Sequence, residues 1–188
     1  MKIALTQREI VLDNAAGRFV FDALERIWYK FLVGHDLLVI PNSCLIDHID
    51  ADCVIITGGP DSMARHCTEN KVYSYAREHD IPVIGICHGG FVINDLEGGD
   101  NGHIDNHHGV DHDVVMQGRT YTVNSYHSQC ISTLAPDLLP MAWDNDNHVE
   151  AFHHKSKPIY GVIWHPERQS TPVLPDAINE LLFRKRKL

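Results

Sequence analysis

Nowhere do roughly 18 to 20 apolar residues run together, the length a membrane-spanning helix requires, so no membrane span is expected. Basic residues are also in short supply. Sixteen Lys and Arg against 25 Asp and Glu give a formal net charge of −9, and neutralising phosphates needs a surplus of positive charge on some face, so a nucleic-acid partner is not expected. The exception is Arg184 to Lys187, RKRK, which at the end of a helix is ordinarily a solvated terminus favoured by the dipole. Cysteine is sparse and shows no paired spacing: Cys44, Cys53, Cys67, Cys87 and Cys130 make an odd count. A secreted disulfide framework is therefore not expected, and a reducing, cytoplasmic setting is. Repeats, low-complexity blocks and long linkers are missing too, and 188 residues with 44% hydrophobic and 22% charged content suit one globular domain spanning 1–188.

What is present is an alternation of short apolar runs and helical patterns. Lys2 to Leu5 reads as a first strand, leaving Thr6, Gln7 and Arg8 at its carboxyl end, where ligands of open parallel sheets sit. Phe19, Ala23, Ile27 and Phe31 fall at steps of four, which predicts a helix over 19–33 closed by Gly34. Leu37 to Ile40 and Cys53 to Thr57 read as buried strands, the second running into Gly58, Gly59 and Pro60. Lys71 to His79 reads as a helix, Val83 to Ile86 as a strand, and Phe91 to Leu96 as the helix after it. This alternation predicts an α/β fold with a doubly wound, mostly parallel sheet and helices on both faces. Beyond Leu96 the chain turns polar, with His103, His107, His108 and His112 close together among carboxylates. Such a set suits a metal, but no spacing matches a closed zinc site, so the segment over 97–113 is expected as a plain polar loop with neither metal nor cofactor. Val114 to Met116, Thr120 to Val123 and Cys130 to Ser132 read as a small antiparallel insertion, with VNSYHSQ over 123–129 too polar for a core strand. Val149 to His153 and Ile159 to Trp164 read as further strands, and Ala177 to Phe183 as a closing amphipathic helix.

Two stretches carry chemistry. In Val83 to Phe91, VIGICHGGF, glycines stand two before and two after Cys87. That spacing suits a tight strand-to-helix turn in which side chains on the flanking residues would collide, and it leaves the sulfur exposed where a helix N-terminus favours a thiolate. A buried structural cysteine is the plainer reading of any cysteine in an apolar run. What raises the first reading is YGVIWHPER over 160–168, where His165 and Glu167 project to one side of an extended chain with Pro166 fixing the angle between them. A histidine backed by a carboxylate is what a cysteine nucleophile needs. The glycines after the strand over 53–57 offer backbone N–H groups of the kind that form an oxyanion hole.

With TGGPDS, GICHGG, YHSQ and WHPER in this order, the chain resembles the class I glutamine amidotransferase-like superfamily, in its γ-glutamyl hydrolase branch. The resemblance implies a flavodoxin-like α/β fold in which Cys87 is the nucleophile, His165 the general base and acid, and Glu167 the residue orienting it. It implies that Gly59 and His88 donate oxyanion N–H groups and that Gly58, Ser125, Tyr126 and His127 border the substrate. The reaction implied is cleavage of a γ-glutamyl amide through a glutamyl thioester, releasing glutamate and an amine, with substrates of the γ-glutamyl-GABA or γ-glutamyl-CDP-amidate kind and Arg8 placed to meet a phosphate. No cofactor is implied. The alternative is a glutaminase subunit handing ammonia to a separate synthetase partner, as the TGGPDS pattern favours. A third reading is an inactive binding protein on the same fold. One departure bears on the choice: family members usually carry glutamine four residues after the nucleophile, and this chain has Phe91, an apolar ring unable to hydrogen-bond an amino acid end.

Overall fold

A computed structural model of the chain describes residues 1–183; the RKRK run lies outside the described residues. The first half comprises β1 (Lys2–Thr6), β2 (Arg8–Asn14), β3 (Gly17–Ala23), α1 (Ile27–Phe31), β4 (Asp36–Ile40), β5 (Cys53–Ile56), α2 (Met63–Glu78), β6 (Val83–Ile86) and α3 (His88–Leu96). There follow β7 (Asp100–His103), β8 (His108–Met116), β9 (Arg119–Tyr126), β10 (Gln129–Thr133), β11 (Leu138–Asp144), β12 (Val149–His154), β13 (Ile159–Val162), a 3-10 turn (Pro166–Arg168) and α4 (Asp176–Phe183).

Nine strands form one sheet in the order β4-β1-β5-β6-β13-β12-β11-β8-β9. The five from β4 to β13 run parallel, and the remaining four join antiparallel. This is the mostly parallel α/β sheet expected of a flavodoxin-like fold, with one difference in the antiparallel part. Instead of forming a separate small insertion, β8, β9, β11 and β12 extend the main sheet.

The parallel strands are apolar on both sides, and their period of two sorts them between two cores. Ile3, Leu5, Cys53, Ile55, Ile84 and Ile86 face Trp28 of α1 and Ile178 and Leu182 of α4. Ala4, Val54, Ile56 and Val83 face Val72, Tyr73 and Ala76 of α2 and Phe91 and Ile93 of α3. Burial of each such Ile contributes about 1.5–3 kcal/mol, so the sheet is fixed by the residues that read as strands.

Several expectations are corrected. The helix over 19–33 is not formed: β3 pairs with β2 as a hairpin, Ile10 opposite Phe21 and Leu12 opposite Phe19, and only one helical turn, α1, remains. Steps of four among 19, 23, 27 and 31 coincided with alternation in IVL and FVF, and the turn between them is set by Asn14 Oδ1 accepting from Ala16 N at 2.8 Å and by Gly17 at φ +132°. The segment over 97–113 is largely strand, because β7 finds a partner in β10 and β8 finds two in β9 and β11. VNSYHSQ is not excluded from the core either. Within it Val123, Asn124 and Ser125 are buried, and both polar side chains have partners inside. β11 was not anticipated from the sequence; Pro140 sits in it where the register shifts against β12. α2 begins eight positions before Lys71, at Met63, where Ser62 caps it by accepting from Arg65 N at 3.2 Å. Finally, Cys44 and Cys67 are joined as a disulfide with Cα atoms 5.6 Å apart, because α2 passes beside the loop after β4. Cys53, Cys87 and Cys130 are free.

Candidate active site

β6 and β13 are parallel neighbours, with Gly161 opposite Gly85 and Val162 opposite Ile86. The two motifs therefore leave the sheet side by side, and Cys87 N donates to Val162 O at 2.7 Å. Cys87 itself stands at φ +51°, ψ −107°, a conformation of the kind held under strain at functional turns. The flanking glycines are required by contact. A Cβ on Gly85 would lie 2.4 Å from Gly89 O, and one on Gly89 would lie 2.1 Å from Ile56 O. α3 starts at His88, so Cys87 occupies its N-cap position, against the unpaired N–H groups of its first turn.

His165 is buried beside this turn. Its Nδ1 is 2.7 Å from Glu167 Oε1; an ionised carboxylate only accepts, so Nδ1 donates and Nε2 is left to the sulfur. The imidazole is hydrogen-bonded to Glu167 and interacts electrostatically with the Cys87 sulfur. Burial disfavours its cation, but the sulfur and the carboxylate outweigh that and raise its pKa to about 9. The pair meets through the 3-10 turn begun by Pro166 and not through extended chain, which corrects the geometry the sequence suggested. Asn124 holds the histidine from the other side, its Nδ2 donating to His165 O and its Oδ1 accepting from His165 N, each at 2.9 Å.

Above Cys87 and His165 opens a cleft of about 410 Å³, lined among others by Gly59, His88, Phe91, Tyr126, His127 and Arg168. Of the residues singled out in the sequence, Gly59, His88, Tyr126 and His127 thus share this cleft with Cys87 and His165. Gly58 lines a smaller cavity alongside His165 and Glu167, and a Cβ there would come 2.4 Å from His165 Cε1. Ser125 lies elsewhere: it is fully buried and its hydroxyl donates to His107 O. Tyr126 stands 5.6 Å from the His165 ring, with the Arg168 guanidinium 4.9 Å over its face. Arg8 and Arg168 both pair with Glu25, at 3.6 and 2.8 Å. Thr6 points inward, its hydroxyl donating to Glu69 Oε1 at 3.0 Å.

Sequence reasoning passed over Arg65, Glu69 and Asn124. Arg65 is completely buried; its Nε donates to Glu69 at 2.7 Å and its terminal nitrogens to the carbonyls of Thr57, Gly58 and Pro60. Glu69 Oε2 then meets His88 Nε2 at 2.9 Å. Burial alone would raise the Glu69 pKa, but His88 and Arg65 hold it below the usual carboxylate range. In sequence, Arg65 and Glu69 look like any exposed i,i+4 pair. The burial of His127 pushes its pKa below the ordinary histidine value.

The chain belongs to the class I glutamine amidotransferase family, whose model matches residues 23–184. It is 34% identical to a gamma-glutamyl-CDP-amidate hydrolase of Campylobacter jejuni, the match covering 90% of this chain and 92% of that one. It is 33% identical to a glutamine-hydrolyzing GMP synthase subunit of Methanosarcina acetivorans over 72% of this chain and 76% of the relative. Among solved structures, a GMP synthase subunit protein of Thermoplasma acidophilum superposes with a TM-score of 0.73 at 22% identity, covering 97% of this chain and 92% of that one. This last likeness concerns the fold.

Proposed function

We propose that the protein is a cysteine-dependent hydrolase that cleaves a γ-glutamyl amide, releasing glutamate and an amine. The observation that carries this reading is the line from the Cys87 sulfur through His165 to Glu167 at the floor of the cleft. The Cys87 thiolate attacks the γ-carbonyl, and backbone N–H groups at Gly59 and His88 receive the oxyanion. His165, as imidazolium, protonates the departing nitrogen, leaving a glutamyl thioester on Cys87. Water then attacks the thioester, giving its proton to His165, and glutamate leaves as the thiolate is restored. Asp61 and Arg168, both on the cleft, provide one group of each sign for the amino acid end and for an anionic leaving group. Ser125 has no part in this scheme beyond holding the backbone of His107.

Two observations favour a substituted amide over free glutamine. Phe91 lines the cleft and meets His127 with ring centroids 5.8 Å apart, offering no hydrogen bond to an amino acid end. Arg168 lines the cleft, held by Glu25 at 2.8 Å and lying 3.8 Å from Glu167, and offers a guanidinium suited to a phosphorylated amine of the kind named for the Campylobacter relative. The second reading, a glutaminase subunit feeding a separate synthetase, draws on the GMP synthase relatives. Glutamate release from glutamine and from a panel of substituted γ-glutamyl amides separates the two. The expected result is a higher kcat/KM for at least one substituted amide than for glutamine. Glutamine as the best substrate, or its hydrolysis sharply stimulated by an added synthetase, overturns the preference.

The pH profile is a further expected outcome. With its pKa raised to about 9, His165 keeps the proton it must give the leaving nitrogen through neutral pH and loses it near pH 9, so kcat/KM falls above that point. The same group contributes stability that is fully present below its unfolded value of about 6.5 and is lost as pH rises through about 9. Removing the Glu167 charge with Glu167→Gln moves the alkaline limb to lower pH and cuts kcat on the order of 10²–10⁴-fold. A limb that stays in place in the variant shows that Glu167 does not set this proton's affinity.

A further inference from the structure

On the side of the cleft bounded by His127, two histidines approach one buried carboxylate, and a third packs against both of their rings. His107 precedes β8, His112 lies within it, His127 follows β9 and Glu150 belongs to β12. The ring centroid of His107 is 5.1 Å from that of His112 and 5.5 Å from that of His127, and the last two are 6.4 Å apart. Glu150 is 1% exposed. Its Oε2 lies 3.6 Å from His112 Nε2 and its Oε1 3.9 Å from His127 Nε2, both too long for a hydrogen bond. Both nitrogens of His112, Nε2 of His127 and Oε2 of Glu150 are buried without a hydrogen-bond partner. Buried polar groups are nearly always partnered, and each exception calls for an explanation.

The tautomers sharpen the case. His127 Nδ1 is 2.7 Å from the carbonyl of Gln129, and His107 Nδ1 is 3.2 Å from that of Asp105. A carbonyl only accepts, so the proton sits on Nδ1 and the neutral ring presents a lone pair at Nε2. The His127 lone pair is aimed at Glu150, and that of His107 at Asp144 Oδ2, 3.4 Å away. Lone pairs facing carboxylates in a buried space repel unless a proton or a cation lies between them. An Nδ1–H held by a backbone carbonyl is also the way metal-ligating histidines are oriented. A tetrahedral ion with bonds of about 2.0–2.2 Å holds its ligand atoms about 3.3 Å apart and its imidazole centroids about 5 Å apart. The centroids, 5.1 to 6.4 Å apart, are wider than this and the donor atoms do not yet lie within 4.8 Å of one another, so binding an ion requires the rings to close inward.

We propose that His107, His112, His127 and Glu150 form a binding site for one divalent cation of the zinc type. The ion would tie β8, the end of β9 and β12 together and fix His127, which forms part of the cleft wall. Its role is structural, and the proposal stands apart from the reaction assigned to Cys87. Nearby Asp144, Asp146 and His148 hold their ligand atoms within 4.8 Å of one another, closer than the histidine cluster does. There, however, Asp144 Oδ1 accepts from the backbone of Asp146 and His148 and its Oδ2 meets His148 Nδ1 at 2.8 Å, so the carboxylate is already satisfied.

The test uses the untagged full chain, stripped with a chelator, incubated with zinc chloride, gel-filtered and assayed for metal by mass spectrometry, with cobalt(II) substitution as an optical probe. The expected result is about one equivalent of zinc per chain and the intense visible bands of a low-coordinate cobalt site. The double variant His112→Ala/His127→Ala loses the metal and Glu150→Gln binds it at least about tenfold more weakly. His103→Ala, an exposed histidine outside the cluster, and Asp146→Ala keep it. Wild-type protein without stoichiometric zinc overturns the proposal even if the double variant fails to fold. So does metal retained in a folded double variant, or metal lost on Asp146→Ala.

Discussion

Cys87→Ala lowers glutamate release by on the order of 10⁴-fold or more while the far-ultraviolet circular dichroism is unchanged. The size of the effect follows from removing the bond-forming atom, for which no other group on the cleft substitutes. The fold survives because alanine keeps the Cβ that the turn at φ +51° already accommodates, and the lost sulfur, buried rather than exposed as the sequence suggested, has the cleft on one side and the core on the other. Alkylation of the wild-type protein gives an independent readout. Cys44 and Cys67 are bonded to one another. Burial pushes the Cys53 thiol up to about 12, and burial also raises that of Cys130. At neutral pH iodoacetamide therefore labels Cys87 first, and more slowly in Glu167→Gln, where the imidazolium beside the sulfur is weakened. Equal labelling of the three free thiols, together with turnover retained in Cys87→Ala, reduces the elbow to a structural feature and removes the proposed function.

The residues that announced the site did so because chemistry and backbone geometry demanded them together. Gly85 and Gly89 are forced by atoms within 2.5 Å of any added Cβ, and no other residue type fits, so the spacing around Cys87 is legible without a structure. The parallel strands were legible for a similar reason: buried on both faces, they permit only apolar residues. The hairpin of β2 and β3 was not, because Ile10, Leu12, Phe19 and Phe21 are 39–50% exposed and no core imposed an unambiguous period on them. Asn124 escaped notice because a polar residue in a strand reads as a break. Its two bonds to the His165 backbone exist only once β9 reaches the segment after β13. The histidines near β8 looked like loop for the same reason, since His112 and His127 approach Glu150, and His107 approaches Asp144, across strands that the sequence does not bring together.

Arg65→Met is expected to destabilise the protein by about 3–5 kcal/mol, because it leaves the Glu69 carboxylate buried with His88 as its remaining charged partner. For a domain of this size that corresponds to a fall in Tm on the order of 10 °C, measured by calorimetry or by dichroism on heating. Three backbone carbonyls, those of Thr57, Gly58 and Pro60, lose their donor at the same time. These carbonyls belong to the segment carrying Gly58 and Gly59, so turnover falls even at temperatures where the variant is folded. The double variant Arg65→Met/Glu69→Met removes both charges and is expected to be more stable than Arg65→Met alone, since no unpaired ion remains. The pH dependence has the opposite sense to that of His165. Glu69 has its pKa held below the usual range by His88 and Arg65 against the effect of burial, so its contribution is present above its unfolded value of about 4.3 and is lost as pH falls below it. If the single variant melts with the wild type, the network is dispensable for stability. If it is less stable but retains full kcat, the guanidinium supports the fold without positioning the glycine loop at the cleft.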